Sequence, residues 1–334
     1  MAVADASRVQ RVDFRFRGRD GLGWAGGAFL GVVLLVAAVA KSVDPRAFAE
    51  EITALGLAGP LPAFGVAIAA LFVEALLGAL LVANVRRLPV MIAATLLVAF
   101  FLFVTGRSAW RAAHGIEDPT AACGCFGNLV ERTPTEALRQ DLLLLLPALA
   151  LAWLGRPVTM RRSALRWAGA GILALGVAGF AAAAPGLPLD DVATRLKPGV
   201  ALTELCAGRG AERVCLDYVA PSLGTGVHLV VLADTAAAEF PALAERLNAH
   251  VLAGGAPPVA VLAEVSPERR QELFWTISPA FDLHDTPPAL LRPLYRTLPR
   301  SFRVEDGRVT ATWNGLPPEL AGADRAAETT DPRG

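Results

Sequence analysis

The chain has 334 residues and no net charge, and 54% of its residues are hydrophobic while only 19% are charged. A soluble domain carries about 25% charged residues, so the composition excludes an ordinary soluble protein. The absence of a basic excess argues against a nucleic-acid partner.

The charge deficit is local. Residues 23–184 contain long apolar runs, whereas residues 186–334 read like a soluble domain. A bilayer core about 30 Å thick needs roughly 20 apolar residues as helix. A basic N-terminus, residues 1–22, holds Arg8, Arg11, Arg15, Arg17 and Arg19. The first predicted span runs from Trp24 to Ala40. Arginines, an apolar run and then Ala38-Val39-Ala40 also fit a cleaved signal peptide, and this second reading stays open. Lys41-Ser42-Val43-Asp44-Pro45 closes the span, with Asp44 a helix cap, Pro45 at the first helical position and Lys41 snorkelling to the interface. Phe48, Ile52, Leu55 and Leu57 then predict a short amphipathic helix.

The second span, Leu61 to about Ala83, contains Glu74 near its middle. An ionisable group at that depth costs a few kcal/mol and needs a partner. Glu74 is either a proton-handling group or quinone contact, or a helix-packing hydrogen bond. Gly78 allows a neighbouring helix to approach closely. The third span is Leu88 to Val104, the fourth is the short run Leu142 to Leu154, and the fifth is Trp167 to Ala184. The fourth can borrow its first turns from Thr135–Asp141, and Pro147 kinks it. Asp141 could pair with Lys41. Trp24, Trp110, Trp153 and Trp167 lie near predicted span ends, as an interfacial aromatic belt requires.

Orientation follows from Lys and Arg. The N-terminus and the connections holding Arg86, Arg87, Arg156, Arg161, Arg162 and Arg166 carry eleven positive charges on one side. The longer connections on the other side carry six. The dense side is expected to be cytoplasmic, which puts the N-terminus inside a bacterial-type plasma membrane and the C-terminal domain outside it.

Between spans three and four lies Cys123-Gly124-Cys125-Phe126-Gly127. Two cysteines around one glycine close only a tight ring, and a strained disulfide is a good oxidant. Cys123 and Cys125 are therefore a candidate redox pair, facing a lipid-soluble electron acceptor such as a quinone. A static staple and a pair of metal ligands are the alternatives; no metal is assigned. His114 reads as a surface histidine.

The order Lys41, Asp44-Pro45, Phe48, then Glu74 and Gly78, then Cys-Gly-Cys-Phe-Gly resembles the MauE family, related to DoxX-type membrane proteins, over residues 22–156. The pentapeptide is its most specific element. The resemblance implies a four-helix membrane bundle over 23–156, to which a fifth helix over 157–186 is added. It also implies a role in methylamine metabolism, assisting folding or disulfide formation in the small subunit of methylamine dehydrogenase alongside a separate thioredoxin-like protein.

In the C-terminal domain, residues 187–320, Val227–Ala233 and Pro258–Val265 predict buried strands. Phe240–Leu252 and Arg269–Ile277 predict helices. Ser301–Val304, Asp306-Gly307 and Val309–Trp313 predict a hairpin. This order resembles a thioredoxin-like α/β domain, with Pro299 at the position of that fold's cis proline, beside which peptides dock. The fold's Cys-x-x-Cys is missing, because residues 234–238 read Asp-Thr-Ala-Ala-Ala. Cys206 and Cys215 predict a structural disulfide, with redox exchange as the alternative reading. Residues 321–334 predict a disordered tail.

The leading expectation is a membrane protein assisting disulfide or redox maturation of an extracytoplasmic client, with thiol–disulfide oxidoreductase chemistry left open. A non-catalytic anchored assembly factor is the alternative, and a small-solute transporter a further one.

Overall fold

The structure is a computed structural model and describes residues 3–57, 59–116, 133–154, 163–208 and 213–321, with side chains from Arg19 onward. It divides into two compact units, Met1–Leu187 and Pro188–Gly334.

The described residues of the first unit form six α-helices: α1 (Val3–Val43), α2 (Pro45–Ala54), α3 (Ala63–Val82), α4 (Leu88–Ala113), α5 (Pro134–Leu154) and α6 (Ser163–Ala183). Among the described residues, five segments are long and apolar enough to cross a membrane: Arg19–Val43, Ala63–Val82, Leu88–Ala113, Pro134–Leu154 and Ala164–Gly186. The fourth is longer than its apolar core because Pro134–Asp141 continues the helix N-terminally, and Pro147 is accommodated within it. α1 packs on α3 and α5, α3 on α6, and α4 on α5. Leucines such as Leu96, Leu143 and Leu175 stay exposed on the outer faces, which suits surfaces solvated by lipid tails. Trp24, Trp110, Trp153 and Trp167 are all exposed, each near an end of one of these apolar segments.

Lipid tails are as apolar as leucine, so close packing rather than water exclusion must hold such helices together. Glycines permit it. A Cβ on Gly31 would lie 2.6 Å from the Gly78 carbonyl oxygen, and one on Gly26 2.7 Å from that of Ala148. Gly31→Leu should therefore force α1 off α3 and lower stability by at least about 2 kcal/mol. A thermal scan of the detergent-solubilised protein, showing a clearly depressed Tm against wild type, checks this. Where the helices end, Arg86 is buried and donates to the Ala152 carbonyl (3.2 Å) and to Asn84 Oδ1 (2.8 Å), while Arg166 donates to the Ala83 carbonyl (2.8 Å). Cations on these C-terminal carbonyls satisfy acceptors that a helix leaves open and oppose its dipole.

The second unit is a sheet with apolar layers on both faces. Its elements are α7 (Asp190–Ala193), β1 (Cys206–Ala207), β2 (Val214–Cys215), α8 (Leu216–Val219), β3 (Val227–Leu232), α9 (Phe240–Leu252), β4 (Val259–Ala263), α10 (Pro267–Thr276), β5 (Asp282–Asp285), α11 (Pro288–Leu291), β6 (Arg300–Glu305), β7 (Arg308–Asn314) and α12 (Pro318–Ala321). The main sheet has the order β5-β4-β3-β6-β7, with β3, β4 and β5 parallel and β6 and β7 antiparallel. β3 and β4 are buried on both faces and so are continuous apolar runs. Leu229, Val231, Val259 and Val261 pack under α9 and α10; Val230, Leu232, Leu262 and Phe302 pack against Leu196, Leu216, Leu223 and Leu290. Asp306 and Gly307, both at positive φ, make the two-residue turn between β6 and β7.

One strand departs from the expected order. β5, Asp282-Leu283-His284-Asp285, stands at the sheet edge between α10 and β6. It has two carboxylates in four residues, so apolar alternation does not reveal it; its backbone is recruited by the exposed edge of β4. His284 on this strand is pushed below the ordinary histidine value, mainly by burial and in part by Arg270, against the opposing effects of Asp282 and the Val219 backbone. The native state thus holds this proton less well than the unfolded chain. Stability should fall as the pH drops through about 6.5 and level off below the native value; His284→Gln should flatten that limb in denaturant titrations.

Cys206 and Cys215 face each other across β1 and β2 and form the expected disulfide. It closes a short loop, and Cys206→Ser with Cys215→Ser should cost about 2–3 kcal/mol, read as a lower denaturation midpoint.

Arg300, 1% exposed, fastens the start of the domain to β6. Its guanidinium donates to Thr194 Oγ1 (2.5 Å), the Leu294 carbonyl (2.8 Å), the Leu196 carbonyl (3.1 Å) and Asp191 Oδ1 (3.3 Å). Burial lowers its pKa, and Asp190 and Asp191 oppose that shift.

Candidate functional site

The site is built on α1, α3, α4 and α5. Asp44 ends α1 and caps α2, accepting from the Ala47 amide at 3.2 Å, with Pro45 following at the first helical position. This sharp turn holds the last turn of α1 in place. Lys41 lies on that turn. It does not snorkel: it is 4% exposed, and its Nζ donates to both carboxylate oxygens of Glu74, at 3.0 and 3.2 Å. The reason is geometric. A helical side chain leans toward the N-terminus of its helix, so Lys41 points back along α1, where the Gly31–Gly78 contact brings α3 close.

Glu74 is 2% exposed. It sits about 16 Å along α3 from Ala63, near the middle of a bilayer-spanning helix. The rings of Phe48 and Phe101 flank the ammonium, their centroids 5.1 and 5.0 Å from Nζ, a distance at which aromatic faces attract a cation. Lys41, Glu74, Phe101 and Asp141 line one small cavity with Val33, Leu34, Ala37 and Leu145. Its volume is about 30 Å³, room for one or two waters. Asp141 is buried, on the part of α5 that extends beyond the apolar run.

The structure thus brings three of the sequence's charged candidates to one place. The partner of Glu74 is Lys41; Asp141, weighed in the sequence as a partner for Lys41, faces the same cavity. The signal that could have found the pair is the joint occurrence of one lysine and one glutamate within apolar helices, since each is too costly to leave alone. Cys123 and Cys125 lie outside the described residues. His114 is exposed at the end of α4, with Nδ1 2.7 Å from the Trp110 carbonyl. In the second unit, the peptide bond Leu298–Pro299 is cis and immediately precedes β6. The segment after β3 is held by its own bonds: Thr235 Oγ1 donates to the Glu264 carbonyl at 3.2 Å, and Ala236 N to Asp234 Oδ1 at 2.9 Å.

No curated protein and no solved structure matches the chain. Residues 19–154 match the model of the family described as methylamine utilisation protein MauE. This stretch carries Lys41, Glu74, Asp141 and the Cys-Gly-Cys-Phe-Gly pentapeptide, and over it the chain is similar to the MauE family.

Proposed function

We propose that this multi-pass membrane protein assists disulfide or redox maturation of proteins outside the cytoplasm. The observation that carries the reading is that Cys123-Gly124-Cys125 falls inside the MauE match, in the segment joining two membrane helices. In the proposed cycle the Cys123–Cys125 disulfide takes two electrons and two protons from a client dithiol, which becomes a disulfide. The resulting Cys123/Cys125 dithiol passes two electrons to a lipid-soluble acceptor of the quinone class. Glu74 is read as a proton-handling group rather than a quinone contact, because small-molecule pockets are about 300–1,000 Å³ and the cavity at Glu74 is about 30 Å³.

The distribution of arginines supports an inner-membrane orientation with the N-terminus cytoplasmic and the last span exporting the C-terminal domain. That domain is read as thioredoxin-like, supported by β3-α9-β4 with the antiparallel β6 and β7 and by cis Leu298–Pro299 before β6. Pro299 would then mark a peptide-docking surface for the client, and a separate thioredoxin-like protein would complete the exchange. Methylamine metabolism is the pathway that the family's description carries.

The test is thiol trapping with a mass tag in isolated membranes across redox buffers. A pair that titrates near known oxidants, about −120 to −200 mV, and is lost in Cys123→Ser supports the cycle. A pair that stays oxidised under strong reduction overturns it. The second reading, an anchored assembly factor that holds a client without redox work, is favoured by the lack of cysteine at residues 234–238.

A further inference from the structure

The disulfide of the second unit has an asymmetry that a plain staple does not need. We propose that Cys206–Cys215 is an exchangeable disulfide that oxidises a client dithiol, with Cys215 as the sulfur attacked, Cys206 as the leaving group and Arg213 as the cation that receives its charge. The exchange itself does not depend on Cys123 and Cys125; only its renewal rests on the cycle proposed for them.

The two cysteines differ in environment. Cys206 is 5% exposed, and its neighbours Leu205 and Ala207 belong to the apolar core. Cys215 is half-buried. Access selects which sulfur of a disulfide is attacked, so an external thiolate reaches Cys215 first. The Arg213 guanidinium donates to Cys206 Sγ at 3.2 Å. A cation beside a departing sulfur stabilises the thiolate and speeds its departure. The Thr203 carbonyl lies 3.0 Å from the same sulfur, placed to accept from the Cys206 thiol once it is protonated. The hairpin also stands apart: β1 and β2 have two residues each and form a sheet separate from the five main strands. Beside the pair, Leu216 N donates to the Leu205 carbonyl at 2.9 Å, and Arg195 donates to the Cys206 carbonyl at 2.8 Å. These bonds do not involve the sulfurs, so they hold the cysteines opposite each other after reduction, ready to close again.

In the exchange a client thiolate attacks Cys215 Sγ. A bond forms between the client sulfur and Cys215, the Cys206–Cys215 bond breaks, and its electron pair stays on Cys206 Sγ beside Arg213. The second client thiol then loses its proton and attacks the first client sulfur, which releases Cys215 as a thiolate. Cys206 and Cys215 take up two protons. The client has lost two electrons and two protons and gained a disulfide, and the Cys206/Cys215 pair has become a dithiol. Its renewal passes two electrons to a second disulfide, the role that the proposed cycle gives to Cys123–Cys125. Arg213 acts on the reacting sulfur without forming a bond to the client.

The test uses the full chain in lipid nanodiscs carrying Cys123→Ser and Cys125→Ser, which leaves Cys206 and Cys215 of its four cysteines. Dithiothreitol is the probe dithiol, and freed thiols are counted with a mass tag. The pair should open while amide protection of β3 and β4 is unchanged. Arg213→Gln should slow the opening about threefold or more, and Arg213→Lys, which keeps a cation, should recover part of the rate. With reduced glutathione as the probe, acid quenching during the reaction should trap a mixed disulfide on Cys215. A pair that stays oxidised in the folded protein is a static staple and overturns the proposal, and so does opening that strips protection from β3 and β4, since the domain has then unfolded. An opening rate that Arg213→Gln leaves unchanged overturns the role of Arg213 and the proposal with it. Glutathione found on Cys206 overturns the assigned direction of attack. None of these results bears on Cys123 and Cys125, so the failure of this proposal and of the membrane cycle are read separately. Where the background variant fails to fold, peptide mapping of the wild-type chain reads the same two residues.

Discussion

Lys41→Met lowers the stability of the detergent-solubilised protein by about 3 kcal/mol, and Glu74→Leu introduced into the same chain recovers most of that loss. Both expectations follow from burial. The ammonium and the carboxylate have left water, and each offsets the cost of the other. Removing one partner leaves a buried carboxyl group whose two hydrogen bonds have gone. Removing both leaves an apolar seam between α1 and α3, which lipid-facing helices tolerate well. The measurement is a double-mutant cycle on denaturant or thermal unfolding of the full chain. A double variant no more stable than Lys41→Met would mean that Lys41 is held mainly by Phe48 and Phe101 rather than by Glu74.

Arg300→Leu should cost the C-terminal domain about 3 kcal/mol, since four acceptors lose their donor together. Two of them, the Leu196 and Leu294 carbonyls, belong to backbone that the guanidinium pins against β6. Arg300→Lys should recover only part of the loss, because an ammonium is a point charge and cannot fork to partners lying in different directions. Hydrogen exchange locates the effect: amide protection should fall first over residues 190–196, whereas the paired strands β3 and β4 keep theirs until global unfolding. Uniform loss of protection across the sheet would show instead that Arg300 supports the core as a whole.

The membrane bundle and the two buried strands were legible in the chain because each announces itself locally. A spanning helix must satisfy its backbone within an apolar run, and a strand buried on both faces is a continuous apolar segment. The cap Asp44, Pro45 at its first position, the Asp306-Gly307 turn and the Cys206–Cys215 disulfide were legible for the same reason, as each is set by neighbours along the chain or by a short separation. β5 was not, because an edge strand with two aspartates owes its form to the partner strand β4 rather than to its own apolar pattern. Of the candidate site, the residue types were visible and their meeting was not. Glu74 could be recognised as requiring a partner, but Lys41 read as an interfacial lysine, and Asp141, at the start of a span, was weighed as a partner for Lys41 rather than as a neighbour of Glu74. Only the packing of α1 against α3 through Gly31 and Gly78, and of α5 against α1, turns Lys41 inward and sets Asp141 on the same cavity. By itself the sequence determined which charges lie within apolar helices; the tertiary structure decided which of them face each other, because helix-to-helix distance and rotation come from side-chain packing between segments far apart in the chain.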